Sequence, residues 1–195
     1  MCIRDRNGNS PQSPWLKSGL RPGDALLISR PLGTGVLFAG AMSGATRAAD
    51  LDTALQTMAC SQHTLLEQIE PIREGIHACT DITGFGLLGH LGEMLQNSPG
   101  LTIELEGSAI PAYPGALELF EAGVSSSLAP SNRAAWRWLE GPVQLRKRPS
   151  PALLELLVDP QTCGPLLLAC TREAAAQLTQ HGPWVQIGNA DAAAG

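Results

Sequence analysis

Short apolar runs separated by glycine and proline give the first indication of the fold. Residues 25–29 and 166–170 are continuous apolar runs, which predict strands covered on both faces. Residues 101–106 alternate apolar and polar positions, which predicts a strand with one solvated face at or near a sheet edge. Residues 184–188 predict a further strand.

Apolar residues at helical spacing predict the helices between these strands. The longest predicted helix runs from Asp50 or Asp52 to Ile69, and Gln62 interrupts its apolar face of Leu51, Leu55, Met58, Leu65, Leu66 and Ile69. The other predicted helices are residues 87–95, 116–122, 151–157 and 172–180. Either aspartate can cap the long helix. Strands interleaved with helices of unequal length predict an α+β domain, a mixed β-sheet layered with helices.

The most informative stretch is residues 77–95, which predicts a strand, a turn and a helix. The strand delivers Asp81 to the turn, where Gly84 and Gly86 allow a tight bend and leave backbone N–H groups free at the helix start. Such a place favours anions. Asp81 therefore has two interpretations: a helix cap that accepts a backbone N–H, or a ligand for a hard divalent cation such as Mg²⁺.

Composition narrows the classes of function. The net charge is -5 with 13 basic residues, so we expect no nucleic-acid partner. No apolar run approaches the length of a membrane span, so we expect no membrane partner either. The 5 cysteines are an odd number without metal-type spacing, which favours a reducing compartment, and we expect a cytoplasmic location.

The length of the chain fits one domain. Residues 1–15 are polar and interrupted by prolines, with no apolar stretch that would form a secretory signal. We expect residues 1–19 to be a disordered or non-native tail and residues 20–195 to be the domain.

Three segments resemble the selenophosphate synthetase family, whose members are also called selenide, water dikinases. Residues 80–90 read Thr-Asp-Ile-Thr-Gly-Phe-Gly-Leu-Leu-Gly-His and resemble the family signature Thr-Asp-Val-Thr-Gly-Phe-Gly-Leu-x-Gly-His. Residues 159–167 read Asp-Pro-Gln-Thr-Cys-Gly-Pro-Leu-Leu and resemble Asp-Pro-Gln-Thr-Ser-Gly-Gly-Leu-Leu. Residues 30–35 read Arg-Pro-Leu-Gly-Thr-Gly and resemble Lys-Pro-Leu-Gly-Thr-Gly. The resemblance covers residues 20–190.

This resemblance implies the C-terminal domain fold of the aminoimidazole ribonucleotide synthetase superfamily. It also implies a reaction in which ATP, selenide and water give selenophosphate, AMP and phosphate. Asp81 would bind Mg²⁺, and the domain would close over an ATP site on an N-terminal domain that residues 20–195 do not contain. The family's nucleophile belongs to that missing domain, so we assign no catalytic and no nucleotide-binding residue here. A homodimer is implied for the full-length protein.

Two other functions remain open at this point. One is a non-catalytic binding or assembly domain on the same scaffold, and the other is a different ATP-using member of the superfamily. The resemblance also implies that Asn132 lies in a loop facing the active-site side. We expect the nearby Trp136 and Trp138 to pack against the protein rather than to stack on substrate.

Cys163 and Pro165 depart from the family pattern, which has Ser and Gly at these positions. Proline removes an N–H that glycine could offer to a phosphate. We expect Cys163 to be an unreactive thiol packed against Leu166 and Leu167. The alternative is a reactive thiol in an anion-binding turn.

Overall fold

The computed structural model describes residues 14–136 and 141–193, and within them the strands form one six-stranded mixed sheet. The strands are β1 Ala25–Ile28, β2 Ile76–Asp81, β3 Leu101–Leu105, β4 Val143–Leu145, β5 Leu166–Cys170 and β6 Val185–Ala192. The α-helices are α1 Thr34–Ser43, α2 Ala48–Ala59, α3 His63–Ile69, α4 Gly86–Gln96, α5 Ala116–Glu121, α6 Ala129–Trp136, α7 Pro151–Val158 and α8 Arg172–His181. Short 3₁₀ helices occupy Glu70–Gly75 and Gly107–Ala109.

The sheet joins strands that are distant in the sequence. Its order is β2-β5-β1-β6-β3-β4, with β3 and β4 parallel and the other neighbours antiparallel. The predicted mixed sheet is therefore confirmed. The alternating strand β3 lies one place from the edge, which the three-residue strand β4 forms.

Alternation along the central strands divides the core into two layers. Leu26 and Ile28 of β1 join a large apolar cluster with residues of α1, α4, α5 and α7. Ala25 and Leu27 point to the opposite face and join a smaller cluster with residues of α3 and α8. Because both faces of β1 are covered, every one of its positions is buried, as its continuous apolar run predicts.

The prediction of one long helix from residue 50 to Ile69 is wrong. The chain forms α2 and α3, separated by an extended residue at Cys60. Gln62, between the two helices, accepts a hydrogen bond from Ser29 Oγ at 2.7 Å and donates one to the Gly164 carbonyl at 3.0 Å. The spacing identified Gln62 as an interruption of the apolar face, but only these tertiary contacts explain why the helix itself is broken there.

Neither predicted cap fits the start of α2. The N-cap residue is Arg47, whose side chain makes no capping hydrogen bond. Asp50 is buried inside the first turn and pairs with Arg47, its Oδ2 lying 2.6 Å from Nε. Asp52 accepts a hydrogen bond from Gln56 on the exposed surface. Leu55, expected on the apolar face, is 44% exposed.

The other predicted strands and helices lie close to their observed positions, whereas α1, α6 and β4 were not among the predicted elements. Helix α7 begins with Pro151 behind the Ser150 cap and ends at Val158, before the proline that follows Asp159. Residues 1–13 of the expected tail lie outside the described residues, while the carbonyl of Leu16 accepts the Cys79 N–H of β2 at 2.9 Å. In the part of the chain that is described, no helix has the length and apolarity needed to cross a bilayer.

We predict that Gly188→Ala destabilises the sheet. A Cβ at this position in β6 would lie 2.3 Å from the main-chain oxygen of Glu104 in β3, so the backbone has to shift. The expected cost is about 1–3 kcal/mol of unfolding free energy, measured by urea denaturation. Gly84→Ala is the matched control, because no atom lies within 4 Å of its added Cβ. Equal stability of the two variants would contradict the prediction.

Candidate functional site

The three family-like segments meet at one end of the sheet. Strand β5 runs antiparallel to both β1 and β2, with Ile28 opposite Leu167 and Asp81 opposite Leu166. The carboxyl ends of β1 and β2 therefore lie beside the amino end of β5. Residues 30–35, 81–86 and 159–165 extend from these three strand ends, so topology alone brings them together.

Gln161, in the segment of residues 159–165, connects that segment to residues 30–35 and 81–86. Its Oε1 accepts hydrogen bonds from the main-chain N–H groups of Gly33 and Thr34, at 3.0 and 3.2 Å, and from the Thr34 hydroxyl at 3.1 Å. Its main-chain N–H donates to the Thr83 carbonyl at 2.9 Å. Because Gln161 is only 4% exposed, loss of its side chain would leave buried donors without a partner.

The side chain of Asp159 lies at the N-terminal end of α1, and the residue is fully buried. Its Oδ2 accepts the N–H groups of Gly35 and Val36 at 3.0 and 3.2 Å, as well as the Gln161 amide at 3.0 Å. A Cβ on Gly35 would lie 2.6 Å from Oδ1, so only glycine fits against this carboxylate. The N–H groups at the start of this helix are thus already bound to a carboxyl group of the protein itself.

Burial raises the pKa of Asp159 to about 7, although the hydrogen bonds from Val36, Gln161 and Gly35 oppose the shift. Its other oxygen, Oδ1, is buried without a hydrogen-bond partner. A carboxylate with one unsatisfied buried oxygen is costly to keep charged, which is consistent with the raised pKa.

The turn after β2 is fixed by its main chain. The Ile82 N–H donates to the Pro165 carbonyl at 2.9 Å, and the Thr83 carbonyl also accepts the Gly86 N–H at 3.0 Å. Gly86 has a φ of 69°, and a Cβ there would lie 2.8 Å from the Val158 carbonyl carbon. Glycine is therefore required at this position. Pro165 lacks an N–H, yet its carbonyl still binds the turn.

Asn132 lies on α6 and not in the loop that the resemblance implied. Its Nδ2 donates to the Gly84 carbonyl and to the Val158 carbonyl, both at 2.9 Å. It therefore connects the turn of residues 81–86, here called the Asp81 turn, to the end of α7. Trp136, on the same helix, is half-buried and packs against the large apolar cluster, as expected. Trp138 lies outside the described residues.

Asp81 is exposed at the end of β2. The capping interpretation is wrong, because the N-cap residue of α4 is Phe85 and no side chain caps that helix. Among the described residues, no group of three or more His, Cys, Asp or Glu side chains could hold a metal ion. Asp81 fits Mg²⁺ as a single ligand, since Mg²⁺ commonly takes one or two carboxylates and completes its shell with substrate oxygens and water.

Cys163 is exposed, so the expected packing against Leu166 and Leu167 is wrong. Its φ of 48° is the only positive φ of a non-glycine residue within the described ranges. The buried Arg30 donates to the Cys163 carbonyl at 3.3 Å and to the Cys60 carbonyl, and this holds the loop in place.

Comparison with known proteins identifies the family. A family model described as "AIR synthase related protein, C-terminal domain" matches residues 21–195, and the chain belongs to this family. Among curated relatives, the selenide, water dikinase of Bdellovibrio bacteriovorus is 36% identical over 171 residues, which are 88% of this chain and 47% of the relative. The selenide, water dikinase of Caldanaerobacter subterraneus is 37% identical over an alignment of 180 residues, which covers 86% of this chain and 47% of the relative.

These relatives confirm the resemblance to selenophosphate synthetase. The chain spans about half the length of the curated relatives it matches. Among solved structures, thiamine-monophosphate kinase from Stenotrophomonas maltophilia gives a TM-score of 0.59 at 18% identity, covering 93% of this chain and 51% of that one. Hydrogenase maturation protein HypE gives 0.57 at 22% identity, covering 90% and 46%. At these identities the structures show a shared fold.

The raised pKa of Asp159 predicts a pH-dependent stability. The folded state holds this proton more tightly than the unfolded chain, where an aspartate titrates near about 4. The stability that the folded state gains from this proton is therefore fully present below about pH 4 and is lost as the pH rises through about 7. Relative to Asp159→Asn, the wild-type unfolding free energy should fall between pH 5 and 8, by at most about 1.4 kcal/mol per pH unit.

Urea denaturation of both proteins across this pH range measures that difference. The exposed Asp191→Asn is the matched control and should follow the wild type. Parallel pH profiles for wild type and Asp159→Asn would contradict the assignment.

The exposure of Cys163 predicts that its thiol reacts with iodoacetamide at neutral pH. Cys163 and Cys60 should be labelled at least about tenfold faster than Cys79 and Cys170, because reaction requires an accessible thiolate. Burial raises the pKa of Cys79 to about 11 and that of Cys170 to about 12. Peptide mapping by mass spectrometry separates the sites, and chain unfolded in urea provides the reference. Labelling of Cys163 as slow as that of Cys170 would restore the packed interpretation.

Proposed function

We propose that residues 20–195 are the C-terminal domain of an ATP-dependent selenophosphate synthetase, and that Asp81 is one of its Mg²⁺ ligands. The observation that carries the proposal is the exposed carboxylate of Asp81 on a turn fixed by main-chain hydrogen bonds. Ile82 and Thr83 bind the loop of residues 159–165, and Gly84 binds Asn132. The relatives named selenide, water dikinase support this assignment.

The reaction explains why a single carboxylate is useful here. ATP, selenide and water give selenophosphate, AMP and phosphate, and phosphoryl transfer depends mostly on positioning and on neutralising phosphate charge. When bound, Mg²⁺ supplies that neutralisation and orients the phosphate oxygens. Asp81 contributes one negative oxygen ligand from a rigid turn, and the exposed end of β2 leaves room for an opposing domain.

An N-terminal domain is the partner that this proposal requires. It would provide the nucleotide site, the remaining metal ligands and the nucleophile, and it would form the contacts of a homodimer. A metal shared between two domains binds tightly only when they are docked, so metal binding and closure stabilise each other. The described cysteines are all free, including two exposed ones, and this supports a reducing, cytoplasmic location.

The decisive variant is Asp81→Asn in the full-length protein. We expect selenide-dependent AMP formation to fall by about two orders of magnitude or more, because a metal clamp supplies several kcal/mol to such a reaction. The thermal midpoint should stay within about 2 °C, because substitution at an exposed position rarely costs more than about 0.5 kcal/mol.

Asp52→Asn, another exposed aspartate of the same chain, is the matched control and should keep full activity. Residues 20–195 alone should form no AMP. Full activity of Asp81→Asn would remove the metal role, and a full-length protein that binds ATP without forming AMP from it would favour the non-catalytic binding domain instead.

A further inference from the structure

His90 lies inside α4, but its imidazole reaches back to the turn that precedes the helix. The Thr83 main-chain N–H donates to Nε2 at 3.0 Å, and the Thr83 hydroxyl lies 3.3 Å from the same nitrogen. On the other side of the ring, Nδ1 lies 3.0 Å from Glu93 Oε2. The residue is only 3% exposed, so water does not compete freely for these contacts.

This geometry defines the protonation state of the ring. A main-chain nitrogen can only donate, so Nε2 must carry a free lone pair. The ring proton of the neutral imidazole is then on Nδ1, from which it is donated to Glu93. A doubly protonated ring would point an N–H at the Thr83 N–H, and that hydrogen bond would be lost.

The hydrogen bond matters because Thr83 is the central residue of the Asp81 turn. The Thr83 carbonyl binds Gln161 and Gly86, but its N–H, near the start of α4, has no carbonyl partner of its own. The N-cap residue Phe85 offers no side-chain acceptor. The imidazole of His90 therefore accepts a main-chain donor of the turn that precedes the helix, at a position two residues from Asp81.

We propose that His90 is a positioning residue, whose neutral Nδ1-protonated imidazole accepts the Thr83 N–H and thereby fixes the turn that presents Asp81. Its consequence for metal binding rests on the proposed function, whereas the hydrogen bond itself does not. The ring offers an acceptor only while it is neutral, so this hydrogen bond holds the turn at neutral pH and is lost when the ring gains a second proton.

The charges around the ring set the direction of that pH dependence. Burial lowers the pKa of His90, and Lys17 lowers it further, while Glu93 and Asp81 raise it. Lys17 and Glu93 form an ion pair at 2.8 Å, so they oppose each other beside the ring. The pKa of His90 is lower in the folded state than in the unfolded chain. The stability contributed by its neutral ring is therefore present above about pH 6.5 and is lost as the pH falls through the lower folded value.

The test uses nitrogen NMR and amide hydrogen exchange on the chain itself. At pH 7.5 the ring shifts of His90 should show a protonated Nδ1 and an unprotonated Nε2. In His90→Leu, which has no acceptor, exchange of the Thr83 amide should accelerate by about tenfold or more. His90→Gln, whose amide oxygen can accept the bond, should restore part of the protection. The Ile82 amide, bonded to Pro165, is the internal control.

The wild-type protein tests the proposal even if a variant does not fold. Protection of Thr83 relative to Ile82 should fall over the pH range in which the ring shifts of His90 report a second proton. A protonated Nε2 at pH 7.5, or Thr83 protection that does not change while the ring gains its second proton, would overturn the proposal. Selenide-dependent AMP formation by Asp81→Asn in the full-length protein tests the metal role separately, so failure of the proposed function would be distinguishable from failure of the His90 contact.

Discussion

The buried side-chain amide of Gln161 is the interaction on which this end of the sheet depends. Its oxygen accepts three donors at the start of α1, its nitrogen donates to Asp159, and its main-chain N–H binds the Asp81 turn. The side-chain amide carries an acceptor and two donors on one planar group; a carboxylate would lack the donors, and an apolar residue would leave the polar groups around it without partners. Segments far apart in sequence are therefore held as one rigid unit.

Within this unit the two helix starts have different roles. Asp159 binds the N–H groups at the start of α1, so this helix has no free donors for a phosphate at Gly35 or Val36. The helix after the Asp81 turn has no side-chain cap, and the carboxylate of Asp81 lies exposed beside it. Anion contact at α1 would require displacement of Asp159, whereas the region around Asp81 is open.

The sequence predicted the features that depend on local pattern and composition. The apolar runs of β1 and β5, the apolar face of α4, and the position of Asp81 at a strand end all follow from spacing that a single segment carries. The break between α2 and α3 does not, because Gln62 makes its contacts with residues distant in the chain. The hydrogen bonds of Gln161 and Asn132 were missed for the same reason: a single amide in a turn or a short helix has no periodic signature. Cys163 is exposed and has a left-handed backbone that cysteine seldom adopts, so the residue type alone could not predict either feature.

The order of the strands also has a consequence for synthesis. Strand β1 is made before the other five strands of this sheet, yet both of its neighbours, β5 and β6, are the last of the six. A ribosome-bound chain that lacks residues 166–192 would have an apolar strand without partners at its centre, and closing so long a loop is slow. Unpaired strand edges promote aggregation during this interval. The domain should therefore fold late, after its C-terminal strands emerge, and chaperones that shield nascent chains would act mainly before that point.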